Sequence, residues 1–217
     1  MMWRGEILSR EEKELIKEEL PFGWKWVKVS DVGEVVTGTT PSKTNMDYYK
    51  NDYPLYKPTD LNAGYYTRES ADQISKLGAT RARLNPEKSI MVTCIGATIG
   101  KTGMSRKIGA TNQQINSIIP NDKYLPEFVY YFCISEYFQD QIKKHASSTT
   151  LPILNKTKFQ LLPFIEIPKN EQIQIVEEIE RRFSEADNLE NIIDESLIKT
   201  ESLKQSIVKQ AFEGKLV

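Results

Sequence analysis

Residues 172–211 read QIQIVEEIERRFSEADNLENIIDESLIKTESLKQSIVKQA, a stretch of 40 residues that contains neither glycine nor proline. Apolar residues recur in it at alternating spacings of three and four, which is the pattern of a coiled-coil seam. The seam consists of Val176, Ile179, Phe183, Ala186, Ile193, Leu197 and Ile207. As a helix, the stretch would be about 60 Å long. A small domain cannot bury so long a stripe, so the pattern predicts pairing with another long helix.

The residues before this stretch predict one globular domain. Hydrophobic residues make up 39% of the 217 residues, which is enough for a core. Strands are predicted for the apolar runs 89–95, 115–119 and 164–167, without the regular alternation with helices that marks a parallel sheet. We therefore predict an α+β fold, with a globular domain at residues 1–168 and a long coiled-coil-forming α-helix at residues 169–217.

Shorter helices are predicted from caps and periodicity. Ser9 and Glu12 form a capping-box pattern at the start of a helix over residues 9–20. Residues 126–144 have the period of one amphipathic helix. Asn155 is expected to cap a short helix, and Asn170 to cap the long one.

The charge is balanced overall but uneven along the chain. The 29 basic and 30 acidic residues give a net charge of −1, whereas residues 21–168 carry +5 and residues 169–217 carry −4. Between residues 80 and 110 the only acidic residue is Glu87, and the basic residues are Arg81, Arg83, Lys88, Lys101, Arg106 and Lys107. A basic face is typical of a domain that binds a polyanion. Scattered, solvated side chains would give the same count.

The cysteines and the N-terminus bear on the compartment. Cys94 and Cys133 are far apart, lie in apolar runs and have no metal-like spacing, so they are expected to be buried free thiols. The N-terminus is too charged for a signal peptide, and no apolar run approaches the length of a membrane span. These features predict a cytoplasmic protein with no metal site and no membrane contact.

A glycine-rich loop follows the first predicted strand. It reads Gly96-Ala-Thr-Ile-Gly100-Lys101-Thr102 and has three residues between its glycines, whereas a phosphate-cradling P-loop needs four. Gly103 and Gly109 also argue against the helix that must follow a P-loop. Lys101 still suits contact with a DNA phosphate. A tight structural turn is the alternative.

Other polar segments supply further candidate contacts. Gln113 and Gln114 carry paired donor and acceptor groups that match the major-groove edge of adenine, although buried amides bonded to backbone are the alternative. Phosphate contacts are also predicted for Lys144 and Thr149, which belong to a basic, hydroxyl-rich segment after a predicted helix. Thr40, Ser42 and Lys43 of the polar loop 39–43 are predicted to contact DNA, at a base or at a phosphate. Ordinary solvated loops would look the same.

Sequence motifs of catalysis are missing. The chain has no Asn-Pro-Pro-Tyr or Asp-Pro-Pro-Tyr run for amino methylation, no Pro-Asp dipeptide and no cysteine–histidine metal cluster. Glu213-Gly-Lys215 has no carboxylate partners nearby in the sequence. We therefore predict a chain that is not an enzyme by itself, with no catalytic residues and no cofactor of its own.

Several short motifs follow one another along the chain: Leu20-Pro21-x-Gly23-Trp24, Gly38-x-Thr40-Pro41-Ser42, Pro58-x-Asp60-Leu61, Gly96-Ala-Thr-Ile-Gly100-Lys101, Asn112-Gln113-Gln114, Glu171-Gln172-x-x-Ile175-Val176 and the close from Leu203 to Val217. Each motif is weak alone. In this order and spacing, over essentially the whole chain, they resemble the specificity (S) subunit of Type I restriction–modification systems.

The resemblance implies a target recognition domain that reads one half of a split site in double-stranded DNA, and a long helix that sets the distance to a second domain. It also implies docking of modification (M) subunits, which carry S-adenosylmethionine, and of restriction (R) subunits for cleavage.

The length departs from the family, because a whole S subunit has two recognition domains and two helices. This chain, with one of each, is expected to form a homodimer through the helix or to pair with a second specificity half. Two other interpretations stay open, namely a fragment of a fused methyltransferase or nuclease and a coiled-coil adaptor that does not bind DNA.

Overall fold

The computed structural model describes residues 20–147 and 150–216, so the predicted helix at 9–20 falls almost entirely outside the described residues. The described strands are β1 (Lys25–Lys28), β2 (Gly33–Thr37), β3 (Tyr53–Tyr56), β4 (Gln73–Ile74), β5 (Leu84–Asn85), β6 (Ile90–Thr93), β7 (Thr102–Met104), β8 (Gly109–Thr111), β9 (Ile115–Pro120) and β10 (Pro163–Glu166). The described α-helices are α1 (Val29–Val32), α2 (Lys76–Ala79), α3 (Pro126–Ile134), α4 (Glu136–His145), α5 (Lys156–Leu161) and α6 (Lys169–Phe212). Two 3-10 helices span Met46–Tyr48 and Asp60–Tyr66. This mixture confirms the predicted α+β class and the three predicted strands.

Two four-stranded sheets form the centre of the fold. The first sheet has the order β2-β9-β6-β7 and is antiparallel throughout. The second sheet has the order β4-β3-β8-β5, in which β3 and β8 run parallel to each other. Strand β1 pairs separately with β10.

The core joins the two sheets around β6. All residues of β6 are buried, because β7 and β9 pair with its two edges and its side chains are apolar apart from Thr93. Met91 of β6 packs with Tyr56, Leu61 and Ile115 in one cluster. Tyr56 ends β3 of the second sheet and Ile115 begins β9 of the first, so this cluster holds the ends of strands from both sheets close together.

The region predicted as one helix at 126–144 is two helices, so that prediction is wrong. Ser135 lies between α3 and α4 with an extended ψ of 148°. Its hydroxyl accepts from the Phe138 amide at 3.4 Å and donates to the Phe132 carbonyl at 2.7 Å. A serine that caps a new helix interrupts the old one, although the apolar period continues through it. The bend brings Phe132 against Phe164 of β10, with ring centroids 4.2 Å apart.

The caps of the last two helices differ from one another. Asn155 caps α5 as predicted, and its side chain accepts from the Lys158 amide. The predicted cap at Asn170 is wrong, because α6 already begins at Lys169. The carbonyl of Pro168 accepts from the Gln172 amide at 3.0 Å and so makes the first helical hydrogen bond. The 44-residue α6 confirms the predicted long helix.

The chain divides into two compact units, after Ile173. The predicted domain boundary at 168/169 stays a prediction. In the first unit, the side chain of Gln172 accepts from the Leu125 amide at 2.8 Å and donates to the carbonyls of Lys123 and Ile167, both at 3.0 Å. These bonds hold the first turn of α6 within the globular unit.

The second unit is the remainder of α6. Its predicted seam begins with Val176, which is 8% exposed, and Ile179, which is half-buried. The seam residues Phe183, Ile193, Leu197 and Ile207 are between 47% and 62% exposed. Within the single chain, the seam from Phe183 onward therefore faces solvent over about half of each side chain.

Candidate nucleic-acid interface

One edge of the first sheet carries most of the predicted contact residues. Strands β2 and β6 end there at Thr37 and Thr93, and their neighbours β9 and β7 begin there at Ile115 and Thr102. Antiparallel pairing puts these four strand ends side by side. The loops 38–44, 94–101 and 112–114 leave from them, and we call this side of the sheet the loop edge.

Two of the predicted residues are bonded to each other at the loop edge. The Thr40 hydroxyl donates to the side-chain oxygen of Gln113 at 3.0 Å. This approach requires Gly38, because a Cβ at that position would lie 2.1 Å from the carbonyl oxygen of Asn112. Gln113 is exposed and Thr40 is half-buried. The bond orients the Gln113 amide at the surface.

Two hydrogen bonds within the protein stabilise the rest of the loop 38–44. The Ser42 and Thr44 hydroxyls lie 2.8 Å apart in a hydrogen bond. The Tyr49 hydroxyl donates to the Pro41 carbonyl at 2.5 Å. Ser42 and Lys43 are exposed in this hydrogen-bonded loop. The loop therefore presents a hydroxyl and a cation on a supported backbone.

Gln114 differs from its neighbour Gln113. Its side-chain oxygen accepts from the Asn112 amide group at 2.9 Å, and its nitrogen donates to the Ile95 carbonyl at 3.4 Å. Both ends of the side chain are thus bonded inside the protein, which favours the structural alternative for Gln114. These bonds also join the turn 112–114 to the glycine-rich loop.

The glycine-rich loop is a tight turn that positions Lys101. Gly96 and Gly100 have positive φ values of 101° and 88°, which disfavour other residues there. The Lys101 side chain donates to the side-chain oxygen of Asn62, in the second 3-10 helix, at 2.6 Å. Because Asn62 is neutral, this bond fixes the ammonium group without cancelling its charge. The loop is therefore the tight turn of the structural alternative, and it also holds the Lys101 cation in place, whereas contact of Lys101 with a phosphate stays a prediction.

The segment after α4 approaches the same edge. The Gly96 amide donates to the Pro152 carbonyl at 3.0 Å, and Ile153 forms a β-bridge with Ile95. Lys144 lies exposed in the last turn of α4. Thr149 lies outside the described residues.

The basic stretch 80–110 does not form one face, which favours the alternative of scattered basic side chains. Lys88 precedes β6 and Lys107 follows β7, at the end of the sheet opposite the loop edge, because Ile90 pairs with Met104 there. Lys88 pairs with Glu127 at 2.8 Å and Lys107 pairs with Glu69 at 2.6 Å. The hydrogen bond from Lys107 lowers the pKa of Glu69. Successive antiparallel strands bring nearby segments of the chain to opposite ends of the sheet. A charge count along the chain does not reveal this separation.

Arg83 is a loop-edge residue that the motif analysis did not select. It is exposed, and its guanidinium donates to the Thr37 carbonyl at 3.3 Å, at the end of β2. Its inclusion in the basic stretch was the only sequence signal. Nothing in the local sequence separates it from Arg81 or Lys88.

Over residues 20–147 and 150–216, no group of three histidine, cysteine, aspartate or glutamate side chains could hold a metal ion. No helix in the same ranges is long and apolar enough to cross a membrane.

The fold and the loop edge define a domain that presents loops from one sheet edge and continues into a long helix. A family model described as the Type I restriction modification DNA specificity domain matches residues 21–197. The chain belongs to this family, which confirms the resemblance seen in the sequence motifs.

Curated relatives agree with the family match. The HindI specificity subunit of Haemophilus influenzae is 37% identical over 159 residues, which are 72% of this chain and 34% of that protein. The MjaIX specificity subunit of Methanocaldococcus jannaschii is 31% identical over 162 residues, which are 73% of this chain and 37% of that protein. The chain thus spans about a third of the length of these relatives.

Solved structures share the fold. The HsdS subunit from Thermoanaerobacter tengcongensis matches with a TM-score of 0.68 at 19% identity, over 92% of this chain and 47% of that one. A chain from a structure of the type I R-M system matches with a TM-score of 0.70 at 18% identity, over 92% and 48% of the two chains. Each match covers less than half of the solved chain.

Proposed function

We propose that this chain reads one half of a bipartite site in double-stranded DNA with its loop edge, as the specificity component of a Type I restriction–modification complex. The observation that carries the proposal is the convergence of loops 38–44, 94–101 and 112–114 at one sheet edge, in a member of the DNA specificity family. Loops at strand ends can change in sequence without disturbing the core, which suits a surface that must read different DNA sequences.

Base readout is assigned to Gln113, supported by Thr40. A glutamine amide offers one donor and one acceptor, which match the major-groove edge of adenine. The bond from Thr40 pre-orients this amide, so less freedom is lost when the side chain binds a base.

Phosphate contacts are assigned to the cations and hydroxyls around Gln113. Ser42, Lys43, Arg83 and Lys101 lie at the loop edge, and Lys144 lies in the last turn of α4, whose following segment approaches that edge. Thr149 lies outside the described residues and is kept as a candidate from the sequence alone. Lys88 and Lys107 each pair with a carboxylate, which offsets their positive charge, whereas Lys101 bonds to the neutral side chain of Asn62. The positive charge of Lys101 is therefore not offset by this partner and can attract a phosphate.

Catalysis is assigned to the partners. We expect the M subunits to bind S-adenosylmethionine and methylate the site, and the R subunit to join them for cleavage. We expect α6 to contribute to docking of M and to join two specificity halves, by homodimerisation or with a second half.

The test compares two lysine variants with the same charge change at opposite ends of the sheet. The cognate sequence is obtained by comparing methylated motifs in cells with and without the gene. Lys43→Ala, Lys107→Ala and Gln113→Ala are then assayed with the M subunit present, on cognate and scrambled duplexes across a salt series.

We expect Lys43→Ala to weaken binding to both duplexes and to lower the slope of log affinity against log salt concentration by about one unit. Lys107→Ala should bind both duplexes like the wild type. Gln113→Ala should cost about 1–3 kcal/mol on the cognate duplex and little on the scrambled one. Equal effects of the two lysine variants would contradict the assignment of the loop edge. A wild-type complex that binds neither duplex at any salt concentration would instead favour a coiled-coil adaptor that does not bind DNA.

A further inference from the structure

Leu151 is an exposed apolar residue in the segment that approaches the loop edge. Its side chain is 52% exposed, and that of Ile153, two residues further on, is 37% exposed. The loops 38–44, 94–101 and 112–114 lie wholly within the described residues, and none of their large apolar side chains is exposed to this extent. A single exposed leucine is ordinary on a protein surface, so its position must show whether it has a role.

Backbone bonds attach the segment of Leu151 to the glycine-rich loop. Ile153 forms an antiparallel bridge with Ile95, and the Gly96 amide donates to the Pro152 carbonyl at 3.0 Å. Adjacent strands in such a bridge are about 4.8 Å apart. Leu151 therefore leaves the protein directly beside the loop 94–101.

A second strand on the other side restricts the segment further. The Ile153 amide donates to the Ser147 carbonyl at 3.1 Å, and the Ser147 amide donates to the Ile153 carbonyl at 2.9 Å. Pro152 also restricts the residue before it to extended backbone. In an extended chain Leu151 and Ile153 lie on the same face, so together they form one small apolar surface on a supported backbone.

This apolar surface lies close to the residue assigned to base readout. Ile95, which pairs with Ile153, accepts from the Gln114 side chain through its carbonyl at 3.4 Å. Gln113 is the residue before Gln114. One intervening strand thus separates the segment of Leu151 from the turn that carries Gln113, and DNA bound at that turn would pass beside Leu151.

The chemistry of the major groove offers one kind of partner to such a side chain. Base edges there present hydrogen-bond donors and acceptors and, at thymine, the C5 methyl group. The adenine assigned to Gln113 is paired with a thymine, whose methyl lies in the same groove. A leucine set against a donor or acceptor would displace water without replacing its hydrogen bond, whereas against a methyl it buries apolar surface.

We propose that Leu151 is a specificity-determining residue that contacts the C5 methyl group of a thymine in the half-site. The inference rests on the proposed function, because it requires the loop edge to lie in the major groove. Gln113 reads donors and acceptors, and Leu151 adds an apolar contact. Cytosine has no methyl group, so this contact favours thymine over cytosine.

Insertion between base steps is the other way in which an exposed leucine can contact DNA. Such apolar wedges enter from the minor groove and kink the duplex. The paired donor and acceptor of Gln113 suit the major groove, since the minor-groove edge does not distinguish A·T from T·A. Because Leu151 lies beside Gln113, contact with a thymine methyl is favoured over insertion.

Replacing thymine by deoxyuridine tests the contact without changing the protein. Deoxyuridine pairs with adenine through the same hydrogen bonds and lacks only the C5 methyl group. Each thymine of the half-site is replaced in turn, and binding is measured for the wild type, Leu151→Ala and Leu151→Met, each with the M subunit. Ile108→Ala is the matched control, because Ile108 is also 52% exposed and lies at the opposite end of the first sheet, between β7 and β8.

We expect uracil at one position to weaken binding of the wild type about fourfold, which is the effect of burying one methyl-sized group. Leu151→Ala should bind the unmodified duplex at least fourfold more weakly and should not distinguish uracil from thymine at that position. Leu151→Met, which keeps an apolar side chain, and Ile108→Ala should keep the response to uracil. The urea midpoint of Leu151→Ala should equal that of the wild type, because the side chain is half exposed.

Three results would overturn the proposal. The first is a wild type whose binding is unchanged by uracil at every position, which needs no variant to fold. The second is an equal response to uracil in the wild type and Leu151→Ala. The third is a Leu151→Ala variant that weakens cognate and scrambled duplexes alike, as a wedge without base preference would. A wild type that still prefers the cognate duplex in any of these cases would leave the proposed function standing.

Discussion

Gln172 holds the first turn of α6 in the globular unit, and replacing it tests how much that attachment contributes to stability. Its side chain is 1% exposed and makes three hydrogen bonds to backbone groups of Leu125, Lys123 and Ile167. Gln172→Ala removes the side chain that is the hydrogen-bond partner of all three backbone groups. The variant leaves one amide and two carbonyls to find other partners or none.

The expected cost follows from the burial of these groups. The bond to Ile167 is fully buried, and an unpaired buried group costs about 1–3 kcal/mol. The bonds to Leu125 and Lys123 are only partly buried, so water can replace them at a lower cost. We expect a total loss of about 3 kcal/mol, against a stability of roughly 5–15 kcal/mol for an ordinary domain.

Urea unfolding followed by tryptophan fluorescence measures this loss. Trp24 is a local reporter, because its ring nitrogen donates to the Glu171 carboxylate at 2.6 Å. With a urea dependence of about 2 kcal/mol per molar, the midpoint should fall by about 1.5 M. Gln174→Ala is the matched control, because Gln174 is an exposed glutamine on the same helix. Equal midpoints for the two variants would refute the reasoning.

Three further predictions have defined outcomes. Leu197→Asp should abolish assembly in a pull-down with the M subunit while the chain stays folded, as measured by far-UV circular dichroism. Ser202→Asp, which is off the seam, should leave assembly unchanged. Global unfolding of the first variant would contradict this prediction. Gly38→Ala places a Cβ 2.1 Å from a backbone oxygen of the neighbouring turn, so it should cost about 1–3 kcal/mol in urea unfolding and weaken binding to cognate DNA; unchanged DNA affinity would show that the loop need not pass so close. Burial raises the pKa of the Cys94 thiol to about 12 and also raises the pKa of Cys133, so both should react with a thiol reagent at neutral pH only after denaturation; fast reaction of the native chain would contradict their burial.

Local rules predicted the elements whose signals are local. The period of residues 172–211 predicted α6, because a helix of that length shows its apolar stripe directly in the sequence. The apolar run at 89–95 predicted β6, and the cap at Asn155 predicted α5. The break at Ser135 was missed, because a serine within an apolar period can lie inside a helix or cap a new one, and packing of Phe132 on Phe164 decides between them.

The make-up of the candidate site depended on tertiary structure. Gln113 and Gln114 are neighbours of the same type, yet the fold exposes one and bonds the other to Asn112 and Ile95. Arg83 and Lys107 belong to one basic stretch, yet the strands carry them to opposite ends of a sheet. By itself, the sequence determined the family, the α+β class and the long helix, because motifs and periods are written along the chain. Which side chains meet at the loop edge was decided only by the antiparallel pairing of four strand ends, since that pairing joins residues up to about 80 positions apart.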